Sequence, residues 1–415
     1  MKKILALLLA VMMVLSMAAC GAKKNEPGKN GNTAAEIVIK VWSPSEDQAE
    51  GNNWLVKMED AFKAKYPKYA NVKFENTTMG EGDAGTAVIQ DVSASADVFM
   101  FANDQLGKLV KAGGLTKLVG DYEAQVKNDN NQFMINSVTH TDGALYGFPM
   151  TNNTWFLYYN KDVFTEEDVK SLDAMIAKDK VYLPFGNGWT APTLFLACGG
   201  TIYGENGLDG EAGVDFGGAK GYAAAKKMVE LKNNANVLCG DLDVSKMING
   251  ECHATFSGSW VRGELEAKFG DKLGVVMLPK VTIDGEEKQM MAMSGSKVVG
   301  VNPNSGKVEG KQAAATAFAA FLASEEAQLA RFEMRGMIPA HKNLADNDKV
   351  KADPVAVAEM NTIANASALQ PALPQMDDFW GPMGNFGGKI VAGDITIESY
   401  EIAVDEMVAA MNPNG

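Results

Sequence analysis

The stretch from residue 36 to residue 101 constrains the fold most, because β-branched segments alternate there with amphipathic helical ones. Ile37–Trp42 is β-branched and alternating. Trp54, Met58, Ala61 and Phe62 then share one helical face, which assigns Trp54 to a core, and Pro67 stops the helix. Val72–Phe74 and Asp97–Phe101 read as the next strands, with a helix over Thr86–Ser95 between them. Strand, helix, strand in repetition is α/β winding.

Further along, Tyr146–Tyr159 is apolar and aromatic but interrupted by Thr151, Asn152 and Asn153, which suits a strand crossing from one body to another. Lys297–Val301, after Ser294, Gly295 and Ser296, is a second candidate crossing. Helices are predicted over 218–233, 310–323, 324–335 and 396–411. Ser324 can cap the third of these, and Glu325 and Glu326 complement its start. At about 150 residues per domain, a chain of 415 predicts more than one domain. No internal repeat is visible.

The N-terminus carries Lys2 and Lys3, an apolar run from Ile4 to Leu15, and small residues Ala18 and Ala19 before Cys20. This is an export signal over 1–19 rather than a spanning helix. A cysteine directly after the small pair resembles the lipobox of bacterial lipoproteins, although Met17 stands where Leu is usual. Cys20 is then the lipidated first mature residue. Residues 20–35, polar and without apolar periodicity, form a flexible tether.

A net charge of −14 makes the chain a poor binder of nucleic acid and of polyanions, so a neutral ligand fits better. Cys198, Cys239 and Cys252 lack metal or CxxC spacing. They favour small apolar core positions over a single bridge, which stays open. Gly80–Gly85 matches GxGxxG, with Asp104 about twenty residues on. Export, the acidic Glu81 and Asp83 inside the motif, and its place after the second strand all weigh against a dinucleotide. His140, His253 and His341 have no HExxH spacing, and no serine sits in GxSxG. A carboxylate pair for glycoside hydrolysis is a spatial feature and stays open.

The aromatics are more informative. Trp42 and Phe101 end strands, while Trp155, Trp189, Trp260 and Trp380 sit beside turn or polar residues. Strand C-termini in an open α/β sheet face the ligand crevice. A pyranose stacks its C–H face on such rings, while short polar groups take its hydroxyls.

Five stretches carry a resemblance along the chain: Asp97–Gly107, Leu145–Pro149 with Tyr158–Asp162, Ala212–Lys220, Ile248–Trp260 and Pro374–Trp380. In this order they resemble the maltose/maltodextrin-binding proteins among extracellular solute-binding proteins of ABC sugar importers. The resemblance implies an α/β, two-lobed periplasmic-binding-protein-like fold with a ligand cleft between lobes. The expected lobes are 36–151 with 297–340, and 152–296 with 341–415.

It further implies stacking by Trp42, Phe101, Trp189, Trp260 and Trp380, and polar contact through Asp104, with Glu46, Asp47 and Asp83 matched more loosely. Asp83 turns the GxGxxG match into a cleft loop. Asn153 and Trp155 stand where the family has Glu and Leu, and Gly381 and Gly384 where it has Tyr and Arg. Their small size is expected to widen one end of the cleft and favour a maltooligosaccharide over the disaccharide. The implied protein is a monomer without catalysis or cofactor. It is held to the membrane only by its lipid and hands sugar to ABC permease subunits by hinge closure. Another neutral oligosaccharide as ligand, a secreted glycoside hydrolase and a surface adhesin are the competing readings.

Overall fold

The strand Val38–Ser43 pairs in parallel with Lys73–Thr78 on one side and Val98–Ala102 on the other, the winding that the alternation predicts. The computed structural model describes residues 36–49 and 53–413. The export signal, Cys20 and the tether lie outside the described residues.

Asn53 starts the first crossover helix, Trp54–Lys65: its side chain accepts from Val56 N at 3.0 Å, which satisfies one of the free N–H groups of a helix start. Trp54, Leu55, Met58 and Phe62 are buried on it, and Phe62 meets Phe318 of helix Lys311–Leu322 at 5.2 Å between ring centres. The helix expected over 86–95 instead spans Glu81–Gln90. Gly85, in its second turn, lies against Gln105. The Gly85 N–H donates to Gln105 Oε1 at 2.6 Å, and a Cβ there would come within 1.9 Å of that oxygen. The GxGxxG stretch is therefore a helix start packed on a neighbour rather than a loop.

The first sheet is completed by Ala292–Val301, antiparallel to Val98–Ala102 and Phe148–Asn153 and parallel to Ser367–Leu369. The second sheet runs in the order Leu273–Val276, Phe156–Asn160, Ala254–Ser257, Val181–Leu183, Val237–Cys239. Each sheet has its own core. Ile39, Val98, Phe99 and Phe318 belong to one, and Leu157, Val181, Phe195 and Phe256 to the other.

The crossings join the two. Ala292 and Met293 sit in the second core, while Val298 and Val299 of the same strand sit in the first. The chain from Phe148 to Asn160 also passes from one core to the other, as Phe148–Asn153 and Phe156–Asn160. Ser294 Oγ donates to Thr154 Oγ1 at 2.6 Å, so the two crossings are bonded to one another. Cys198, Cys239 and Cys252 are free thiols. Among the described residues, no helix is long and apolar enough to cross a membrane.

Candidate functional site

A cleft of about 980 Å³ opens at the crossings, and a smaller hollow of about 350 Å³ adjoins it, with Asn153 and Trp189 lining both. These volumes fall within the range of roughly 300–1,000 Å³ typical of ligand pockets.

Aromatic rings come from the second lobe. Trp189 follows the strand Val181–Leu183, and Asn187 Oδ1 accepts its backbone N–H at 2.9 Å. Trp260 follows the strand Ala254–Ser257 and folds back over Gly258, where a Cβ would lie 1.9 Å from the ring. Gly258 O is in turn held by Tyr158 Oη at 3.1 Å. The two indoles lie 5.8 Å apart at 36°. Trp260 is 49% exposed. Trp380 lines the smaller hollow and is braced edge-on by Phe379 at 5.3 Å.

Helix Met376–Ala392 brings Trp380 to this place despite Pro382 and several glycines. Those glycines permit close approach. A Cβ on Gly387 would lie 2.0 Å from Phe185 O, and one on Gly188 would lie 3.3 Å from Gly384 N. Gly188 therefore lets the Trp189 loop lie close to the helix, whereas a Cβ on Gly384 would come no nearer than 3.9 Å to that loop and one on Gly381 would meet open space.

Polar groups come from both lobes, with Ser259, Arg262 and Glu266 beside Trp260 on the second. Pro44, Glu46, Asp47, Glu81 and Arg331 form one wall of the larger cleft, with Asn152 and Lys297 from the crossing strands. Asp104, in the short turn after Val98–Ala102, lines the smaller hollow. Burial pushes its carboxyl up to about 6, against the pull of Lys297 and Lys108, because desolvation disfavours the ionised form. Its Oδ1 is buried without a hydrogen-bond partner.

Of the residues expected from sequence, Glu46, Asp47, Asp104, Asn153, Trp189, Trp260 and Trp380 line the cavities. Others do not. Phe101 is fully buried in the first core and Trp155 is 1% exposed in the second, so neither has a face free for stacking, and both are corrected to core residues. Trp42 is half-buried against the first core and lines neither cavity. Asp83 is exposed on the first turn of its helix, and Glu81 lines the cleft instead. Asp47 engages Arg331 with both carboxylate oxygens.

Glu81, Arg331, Arg262 and Gln370 are cavity residues that the sequence reading missed. Only the acidic GxGxxG interior gave any signal, for Glu81. Neither cavity is lined by histidine or cysteine. Among the described residues no group of side chains could hold a metal ion.

Residues 57–358 match the family described as bacterial extracellular solute-binding protein. The chain is 27% identical to the galactooligosaccharide-binding protein of Bacillus subtilis (strain 168), with 92% of this chain and 90% of that protein covered. A solved structure with acarbose is 40% identical at a TM-score of 0.84, covering 91% of this chain and 99% of its own. The maltodextrin binding protein MalE1 from L. casei BL23, without ligand, is 30% identical at a TM-score of 0.83 with the same coverage. Two lobes of α/β winding, a cleft at their crossings and a match through most of the chain agree: the protein belongs to the bacterial extracellular solute-binding protein family.

Proposed function

We propose that this protein is the substrate-binding lipoprotein of an ABC importer, capturing a maltooligosaccharide in its cleft and delivering it to the permease by hinge closure. The observation that carries the reading is the Trp189–Trp260 pair, 5.8 Å between ring centres and opening on a cleft whose other wall bears Glu46 and Glu81. Indole rings set among acceptors suit a ligand with C–H faces and hydroxyl edges. They also give the ligand contacts to both lobes, so that it favours the closed state by differential affinity.

The maltodextrin and acarbose named for two similar structures support an α-glucan. A different neutral oligosaccharide is the second reading, favoured by the similarity to a galactooligosaccharide-binding protein. The cleft serves binding without catalysis, in a monomer that uses no cofactor. Residues 36–151 with 297–340, and 152–296 with 341–415, are the moving lobes. Cys20 is the lipidated residue that holds the protein to the outer face of the membrane.

Calorimetric titration with maltose, maltotriose, maltotetraose and galactooligosaccharides tests the ligand. Tighter binding of the longer α-glucans is expected, and absence of α-glucan binding overturns that choice. Small-angle scattering should show compaction at saturating sugar, and chromatography of the incubated sugar should show no shorter products. Cys20→Ser should release the protein into the medium, and an anchored variant would refute the lipidation.

A further inference from the structure

The smaller hollow contains a residue whose main chain is bonded and whose side chain is not. Gln370 is 4% exposed and lines that hollow. Its N–H donates to Ser294 O at 2.6 Å, and its carbonyl accepts from Asn103 Nδ2 at 2.9 Å. Asn103, itself fully buried, accepts Ser296 N–H at 3.0 Å. Gln370 is thus fixed both to a crossing strand and to the turn that carries Asp104. Its Oε1 is buried with no partner, as are Asp104 Oδ1 and Trp189 Nε1 in the same hollow.

An unpartnered buried polar atom is costly and uncommon in a native protein, so three of them on residues that line one hollow mark a place completed by a ligand. We propose that the side-chain amide of Gln370 is a ligand-contacting, specificity-determining group that, with Asp104 and the Trp189 indole N–H, binds the hydroxyls of one neutral sugar ring stacked near Trp380.

The inference rests on reading the cleft as a sugar site and identifies what selects the ring. The set offers a carboxylate acceptor, an amide that presents either oxygen or NH₂, and an indole donor. A hydroxyl can satisfy all of them, since it both donates and accepts. A second anion would meet Asp104, and Lys297 and Lys108 already act on the Asp104 charge, so the chemistry favours a polyhydroxylated neutral ring. Because the Gln370 main chain is tied to Ser294 and Asn103, its amide is held in place before the ligand arrives, which lowers the ordering cost of binding.

The test is calorimetric titration of wild-type protein and Gln370→Met with the tightest-binding sugar of a maltooligosaccharide and galactooligosaccharide panel and with its monodeoxy derivatives. The straight-chain variant should weaken binding roughly tenfold or more, with ligand-free Tm unchanged or higher because the unpartnered amide is gone. One monodeoxy derivative should lose as much affinity in wild type as the substitution does, and lose no more in the variant. Gln370→Asn, which withdraws the amide by one methylene, should also weaken binding and guards against a folding defect in the first variant. Unchanged affinity in both variants, or a lower Tm with affinity kept, overturns the role of Gln370. Wild-type protein that binds no sugar of the panel overturns the sugar reading together with this inference.

Discussion

Arg331 seats its guanidinium on Asp47 in the cleft wall, Nε to Oδ1 at 3.0 Å and Nη2 to Oδ2 at 2.7 Å, and its planar face lies 5.4 Å from the Trp54 ring. Both side chains are almost wholly buried. Glu81 stands 3.6 Å from the same guanidinium, and Thr151 accepts from it. A paired and fully hydrogen-bonded charge is tolerated in such a place, but one left alone is not. Asp47→Ala is therefore expected to destabilise the protein by about 3–5 kcal/mol, read as a lower denaturation midpoint. Glu46→Ala, at an exposed position on the same wall, should stay within about 0.5 kcal/mol of wild type.

Trp260→Ala should behave in the opposite way. The ring is 49% exposed and contacts Trp189 at the cleft, so stability should change little. Affinity for the oligosaccharide should fall by about 2 kcal/mol or more, as for a central aromatic anchor. Titration and thermal melting of the same variant check both halves.

Sugar binding should weaken in acid. Asp104 has its carboxyl pushed up to about 6 in the ligand-free protein, and hydroxyl donors favour the ionised acceptor. As pH falls through about 6 the group protonates, so the dissociation constant should rise by up to about tenfold per pH unit below that point. Asp104→Asn should bind more weakly at pH 7.5 and lose this dependence. Titrations between pH 5 and 7.5 read the slope.

Phe101→Ala and Trp155→Ala should each cost about 3–5 kcal/mol of stability, as truncations of large buried rings do. Where the variants fold, their affinity for sugar should remain near wild type. Denaturant melts with parallel titration separate these core roles from stacking.

Glu359 is 1% exposed on helix Pro354–Asn365, and burial pushes its carboxyl well above the usual range, with the Ser259 hydroxyl opposing. Above about pH 4.5 the unfolded chain ionises this group while the folded protein keeps it protonated. Its contribution to stability is therefore fullest in acid and declines as pH rises toward the folded pKa. Glu359→Gln should remove that decline, so the variant should gain on wild type in thermal melts as pH rises above about 4.5.

How much was legible from sequence depended on range. Ser324, which accepts Ala327 N–H at 3.4 Å, and the helix Gly218–Lys232 announce themselves through residues within a few positions. Helix Met376–Ala392 does not, because Pro382 and its glycines argue against a helix locally, while close packing against Phe185 requires Gly387. Phe101 could not be oriented either, since every residue of Val98–Ala102 is buried and alternation carries no information there.

The sequence by itself determined the α/β winding, the acidic composition, and a set of candidate aromatics that includes Trp189, Trp260 and Trp380. Periodicity, caps and composition act over neighbouring residues and can be read along the chain. Only the tertiary structure decided that Asp47 answers to Arg331, 284 residues away, that Glu81 rather than Asp83 lines the cleft, and that Gln370 shares a hollow with Asp104. Those pairings depend on which polar groups burial leaves to satisfy one another across the lobes, and no local pattern encodes the partner.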